Sequence, residues 1–260
     1  MKNLLLLLAT VISFISCEEV VDINLHDGNQ QLVINAQFAV GNDSLSMPLT
    51  TTGRFTDAAG IGPISNASIF ITDQNGNTGL FSETTTGQYL LVNYGFVTGN
   101  TYSLSATDGV RTAHATSTVP AKAMIDSVQL EVIQLSGFDF YNVHVYTVDP
   151  APEANYFRSR LSYYHFPFQE SSNAIADVLN TNGVIDVPIP YGGSFFHGDT
   201  LTIELWSMDE PGFQFYRTFN QAANSHPSSS ASPFNVTSNV LGGLGLFTIY
   251  QRDEYTYIVD

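Results

Sequence analysis

Two dipeptides constrain this chain more than any other feature. Asn75-Gly76 and Asp108-Gly109 each separate runs of β-forming residues. Residues of these types accept positive φ, so each pair reads as a tight reversal between neighbouring strands. Ala67–Thr72 and Leu80–Glu83 flank the first, and Thr101–Thr107 and Val110–Val119 flank the second. Leu32–Val40, Ser44–Thr52 and Gln88–Asn93 have the same composition. About seven short strands thus crowd into roughly ninety residues, with turn residues between them and no helical period. This predicts an N-terminal immunoglobulin-like β-sandwich over residues 31–120. The chain's 18 Phe and 13 Tyr suit half-buried pleated surfaces.

Pro120 to Ala123 reads as a domain boundary, with a second β-sandwich-like domain carrying one short helix over residues 121–260. Its strands are Ile125–Val132, Phe140–Val148, Asn155–His165 and Thr200–Trp206. In the third of these, Tyr156, Arg158, Arg160 and Ser162 share one face. Phe166 to Gly183 reads as irregular, with one helical turn expected near Ala174 to Leu179. Pro188 and Pro190 are expected to bracket an exposed segment. The helix is placed near residues 210–224: Asp209 caps it, Glu210 suits its positive end, and Pro211 is tolerated in the first turn. Ser225 to Ser232 follows as a serine-rich loop, and Ser238 to Gly245 as a bend. Leu246–Tyr250 and Tyr255–Val259 read as two closing strands.

The N-terminus gives an address. Lys2 precedes an apolar run from Leu4 to Ile15, broken only by Thr10 and Ser13. Ser16 then leads into Cys17, the only cysteine, and Glu18 and Glu19 follow. A basic start, a short apolar stretch and a small residue before the cleavage point make a secretory signal over residues 1–16. A dozen or so apolar residues is too short to span a bilayer. A lone cysteine in an exported chain needs an explanation, and lipidation of Cys17 supplies one. Residues 17–30 then read as a lipid-anchored tether, with Val20, Val21, Ile23 and Leu25 set among polar residues and a turn at His26-Asp27-Gly28-Asn29.

Charge narrows the partners. The formal charge is −16, with only eight Lys and Arg in the chain. Such a chain repels phosphate backbones, so nucleic acid is excluded as a partner. It also carries no basic patch for an anionic lipid surface, so attachment falls to the lipid on Cys17. No phosphate loop, zinc-protease helix, nucleophile elbow or dinucleotide fingerprint is present. The six histidines lack the short spacings of zinc sites. Asp73, Asn75 and Asn77 match the first three positions of a calcium loop, but the later ligands are missing and a hairpin explains Gly76. Asp126, Glu131, Asp139 and Asp149 show no acid–base spacing. The chain is therefore expected to be non-catalytic, with no metal and no cofactor. Its candidate binding surface is aromatic: Tyr163, Tyr164, Phe195, Phe196 and Trp206, with Phe195 and Phe196 expected as the exposed pair between glycines.

Several segments in order carry a resemblance. They are Ser16-Cys17-Glu18-Glu19-Val20-Val21-Asp22-Ile23, Gln31-Leu32-Val33-Ile34-Asn35-Ala36, and Ser68-Ile69-Phe70-Ile71-Thr72-Asp73. Thr98-Gly99-Asn100-Thr101-Tyr102 and Val119-Pro120 with Ile125-Asp126-Ser127 follow, and Phe215-Tyr216, Pro233-Phe234-Asn235 and Ser238-Asn239-Val240 come late. Over nearly its whole length the chain resembles the Bacteroidota outer-membrane lipoproteins of domain-of-unknown-function family 4249 (DUF4249). The resemblance implies a lipid-anchored outer-membrane protein facing the cell surface, the periplasmic face being the alternative. It also implies an accessory role beside a TonB-dependent receptor in nutrient uptake. A stand-alone surface module for glycan or peptide is the alternative function. The resemblance brings no catalytic residues.

Overall fold

The computed structural model describes residues 29–53, 61–135, 138–148, 154–163, 169–177, 183–191, 195–223 and 235–259. The signal, Cys17, most of the tether, Tyr164 and the serine-rich loop lie outside them.

The chain is mainly β. Its first eight strands are β1 (Leu32–Ala39), β2 (Ser44–Thr51), β3 (Ser68–Asp73), β4 (Thr78–Leu80), β5 (Ser82–Thr85), β6 (Gln88–Val92), β7 (Thr101–Thr107) and β8 (Thr112–Thr118). The predicted run Leu80–Glu83 divides around Phe81, whose side chain is buried: β4 pairs with β3, while β5 pairs with β6 in the opposite sheet. At the first reversal both oxygens of Asp73 are taken by Asn75 N, Asn77 N and Asn77 Nδ2, at 2.8–2.9 Å. Gly76 has φ +87°. The segment is a closed turn, as the Asn-Gly pair predicts.

The second set comprises β9 (Ile125–Leu135), β10 (Phe138–Val148), β11 (Tyr156–Tyr163), β12 (Gln169–Ala176), β13 (Val184–Asp186), β14 (Ile189–Tyr191) and β15 (Thr200–Met208). Helix α1 (Glu210–Ala223) and a final long strand, β16 (Gly243–Ile258), complete the chain. Three expectations are corrected here. Ala174 to Ala176 belong to β12 rather than to a helical turn; Arg158 and Arg160 on β11 pair in register with Ala174 and Ser172, so the ladder absorbs this segment. The segment between Pro188 and Pro190 is not exposed, because Val187 and Ile189 are fully buried and pack into the second core. The two closing strands are one continuous strand.

β16 organises the molecule. Its first half pairs parallel with β1, from Leu32↔Gly243 to Ala39↔Tyr250. Its second half pairs antiparallel with β15, from Ser207↔Gln251 to Thr200↔Ile258. One eight-stranded sheet results, in the order β12-β11-β15-β16-β1-β2-β6-β5. Val119 packs in the first core and Ala123 in the second. Residues 240–249 nonetheless return to the first core, through Val240, Phe247 and Ile249.

Two smaller sheets cover one face of the long sheet. The sheet β4-β3-β7-β8 closes a first sandwich around Ile34, Phe38, Met47, Ile71, Leu104 and Phe247. The sheet of β9, β10, β13 and β14 closes a second around Val143, Val145, Phe157, Leu161, Ile203 and Leu205. Alternation along each strand sends these residues inward. On the opposite face lies α1, whose Phe213 and Tyr216 pack with Trp206, Met208, Leu246 and Tyr250. The cap is as predicted: Asp209 Oδ1 accepts from Gly212 N at 3.1 Å.

The seam between the sandwiches is polar and bonded. Gln251 Nε2 donates to Pro120 O and to Thr98 Oγ1, both at 2.8 Å. Ile125 N donates to Asp253 Oδ2 at 2.9 Å, and Lys122 Nζ lies 3.0 Å from Asp253 Oδ1. Asp209 Oδ2 accepts from Thr118 N at 3.1 Å, so the helix cap also holds a strand of the first sandwich. Burial pushes the Asp209 carboxyl above its ordinary range, against hydrogen bonds from Ser117, Gly212, Thr118 and Thr248.

Candidate binding face

The helix-bearing face of the long sheet carries the most distinctive chemistry. On β11, Arg158 and Arg160 point to this face while Phe157 and Leu161 point into the second core. On β15, Glu204 and Trp206 occupy the matching register positions, Arg160↔Glu204 and Arg158↔Trp206. On β16, Arg252 stands opposite Trp206. Three of the chain's six arginines thus converge on one patch of an acidic protein.

Stacking and ion pairs set the patch. The Arg158 guanidinium carbon lies 4.0 Å from the Tyr216 ring centroid and 4.8 Å from that of Trp206. Arg160 lies 5.0 Å from the Trp206 ring. Tyr250 stacks on Trp206 with centroids 4.0 Å apart. Glu204 gathers the edges of the group. Its Oε2 accepts from Arg160 Nη1 at 2.8 Å and from Trp206 Nε1 at 3.0 Å, and its Oε1 from Arg252 Nη1 at 3.1 Å. A guanidinium over an aromatic face is held by the ring quadrupole, more strongly where water is excluded. Tyr216 donates its hydroxyl to Gln37 Oε1. Burial pushes its pKa up to about 12, so it remains a neutral donor. The Arg252 side chain is 45 % exposed and is the most open member of the group.

Across the helix from this patch runs an open groove of about 510 Å³. Its floor is β1 and the start of β16, at Val33, Asn35, Gln37 and Leu244. Phe215 and Phe219 of α1 form one wall, with Val236 to Ser238 beside them. Gly245, at φ +113°, lets β16 run close beside β1; a Cβ there would run into the Ile34 carbonyl oxygen.

The aromatic surface expected from sequence is mostly interior. Tyr163, Phe195 and Trp206 are buried, whereas Phe196 is 59 % exposed. Phe195 is therefore not an exposed partner of Phe196. Its ring packs against Tyr141 and Tyr163 at 4.9 and 5.3 Å. Gly198, at φ +91°, sits in a turn in which Phe196 N donates to Asp199 Oδ2 at 2.8 Å, and that turn tucks one ring in and leaves one out. Trp206 belongs to the face described above, through its stacked arginines. Tyr164 is outside the described residues. Alternation with Phe157 and Leu161 puts Arg158 and Arg160 on one face in the sequence, but only the register with β15 brings them to Glu204 and Trp206.

A second polar group lies on the outer sheet of the second sandwich. His144 Nδ1 is 2.7 Å from Asp186 Oδ2, and its Nε2 is 3.2 Å from Glu131 Oε2. The hydrogen bond to Asp186 raises the His144 pKa above the ordinary value of 6.5, with Glu131 adding to it against burial. The hydrogen bond from His144 in turn lowers the Glu131 carboxyl. Both ring nitrogens face carboxylates, so neither is left to activate a nucleophile. The group is a hydrogen-bonded clasp across three strands. Among the described residues, no set of three or more His, Cys, Asp or Glu is placed to hold a metal ion. Among them too, no helix is long and apolar enough to cross a membrane.

Comparisons with known proteins add the family. No curated protein matches the chain. Among solved structures it is similar to the chicken interferon gamma receptor alpha chain, at 7 % identity and a TM-score of 0.20, covering 68 % of this chain and 88 % of that one. A superposition at that level does not fix an architecture. The profile of the family DUF4249, described as a domain of unknown function, matches residues 18–256. That match spans both sandwiches, the helix and the shared strand, and the chain accordingly belongs to the DUF4249 family.

Proposed function

We propose that this chain is a non-catalytic, lipid-anchored outer-membrane protein that works beside a TonB-dependent receptor and faces the cell surface. The observation that carries this reading is the N-terminus. Lys2, the short apolar run and Ser16-Cys17 form a lipoprotein-type signal, and acids follow at once. Acyl chains on Cys17 would hold the protein at the membrane, since two or more chains anchor stably where one does not. The fold suits a binding role. Two sandwiches share one sheet, and its open face offers guanidinium and aromatic groups rather than a nucleophile and base.

The experiment is purification of the tagged protein from its own outer membrane in mild detergent, with partners identified by mass spectrometry. A stoichiometric TonB-dependent receptor is the expected result, and a protein that purifies alone overturns the accessory role. Cys17→Ala should abolish fatty-acid labelling and release the protein from membranes. The second reading, a stand-alone module for glycan or peptide, is favoured by Arg252, the exposed member of the group built around buried Trp206. Under it, Arg252→Ala weakens binding in a glycan or acidic-peptide screen while the fold is kept.

A further inference from the structure

We infer that the groove between α1 and β1 is the seat of the chain's own tether, with Val21, Ile23 and Leu25 laid into it. The groove is apolar where it is open. Leu244 is 42 % exposed, Phe219 49 % and Val236 38 %, and these three large side chains line one cleft. Its polar floor is occupied internally: Tyr216 donates to Gln37, and Gln37 Nε2 donates to Asn35 Oδ1 at 2.7 Å. What the groove offers a visitor is therefore mainly hydrocarbon surface, and apolar surface of this kind gains by being covered.

Four observations select the tether as the occupant. First, the chain enters the fold at the groove's end. Gln31 N donates to Thr52 Oγ1 at 3.1 Å and Gln30 O accepts from Arg111 Nη1, which fixes the entry point two residues before Val33. Second, Val21, Ile23 and Leu25 alternate with Asp22 and Asn24, so an extended tether is apolar on one side and polar on the other. Third, His26-Asp27-Gly28-Asn29 has the composition of a reversal, which would send the tether back along β1. Val21 to Leu25 and Val33 to Gln37 are both four residues apart, about 13 Å in extended chain, so the two stretches match in length. Fourth, the family match begins at residue 18, so the tether is part of the sequence that the family shares.

Docking changes the reach of the anchor. With residues 21–25 seated, only residues 17–20 remain as spacer, about 13 Å of chain in place of about 45 Å for the whole tether. The protein would be held against the membrane rather than on a long lead. That consequence rests on lipidation of Cys17, whereas the docking itself does not.

The test uses the chain from residue 17 onward, with Cys17→Ser so that no detergent is needed. Hydrogen exchange should show amides 20–25 slowed at least tenfold from the unprotected rate. Ile23→Asp with Leu25→Asp should abolish that slowing and leave the rest of the exchange map unchanged. Ile23→Cys with Asn35→Cys should close an intramolecular disulfide, and Ile23→Cys with Val110→Cys should not. Unprotected amides at 20–25, or equal cross-linking in both pairs, overturns the proposal. A disulfide-linked dimer would assign the groove to a second copy, and protection at 224–234 alone would assign it to that segment. A fluorescent fatty acid that binds equally well with residues 18–27 deleted or present would assign it to an outside ligand. Each of these three results also overturns the proposal.

Discussion

On one face of the long sheet, Phe157, Leu161, Ile203 and Leu205 stand back to back with Arg158, Arg160, Glu204 and Trp206 on the other. The strands are the same, and only parity separates the two sets. The inner face packs these aliphatic and aromatic side chains at 0 % exposure, and the small hydroxyl of Ser159 is buried among them. The helix-bearing face also buries Trp206 and Tyr216, yet each of these two rings is tied to a guanidinium, a carboxylate or an amide. Burial alone therefore does not distinguish core from site. What distinguishes them is whether the buried ring supports a charged group that reaches solvent, as the Trp206 group supports Arg252.

The largest losses are expected at the inner face. Phe157→Ala in the second core and Phe247→Ala in the first should each cost about 3–5 kcal/mol. Urea unfolding followed by Trp206 fluorescence and by far-ultraviolet circular dichroism should move together in both variants, because β16 belongs to both cores. Separate transitions would mean that the shared strand does not couple the sandwiches. Next comes Asp209→Ala, which removes the helix cap and the bond to Thr118 N; about 2 kcal/mol is expected from the same unfolding experiment. On the helix-bearing face, Arg158→Met keeps much of the stacked bulk but loses the charge, for about 1 kcal/mol. A loss as large as that of Phe157→Ala would make this face a core like the other.

The smallest effect is the pH response of the clasp. His144 has its pKa raised in the folded protein, so its contribution is fully present below about pH 6.5 and lost as pH rises through the raised value. His144→Gln should flatten that fall in a series of unfolding curves. An unchanged slope would separate the clasp from stability.

Much of the inner face was legible in the sequence, because a strand with one buried side announces itself by alternation. β1, β2, β3, β6, β7 and β8 lie where the runs and turns put them, and α1 begins at its capping Asp209. The helix-bearing face was harder to read, because the same alternation that marks Phe157 and Leu161 as core makes Arg158 and Arg160 look like ordinary surface. Only the register with β15 brings them to Trp206 and Glu204. Phe195 and Phe196 misled for a related reason: glycines on either side mark a turn but do not say which ring turns inward. β16 was read as two strands because Arg252, Asp253 and Glu254 interrupt its apolar pattern. In the fold these residues sit where the strand passes from one sandwich to the other, with Asp253 bonded to the linker.

The shared strand also has a consequence in time. A chain emerges from the ribosome from its N-terminus, so residues 32–118 are complete long before residues 243–250 exist. The first sandwich must nevertheless wait for those residues, because Phe247 and Ile249 fill its core and β1 has no other partner on that side. Contacts at such separation close slowly. A single late segment therefore shuts both halves at once.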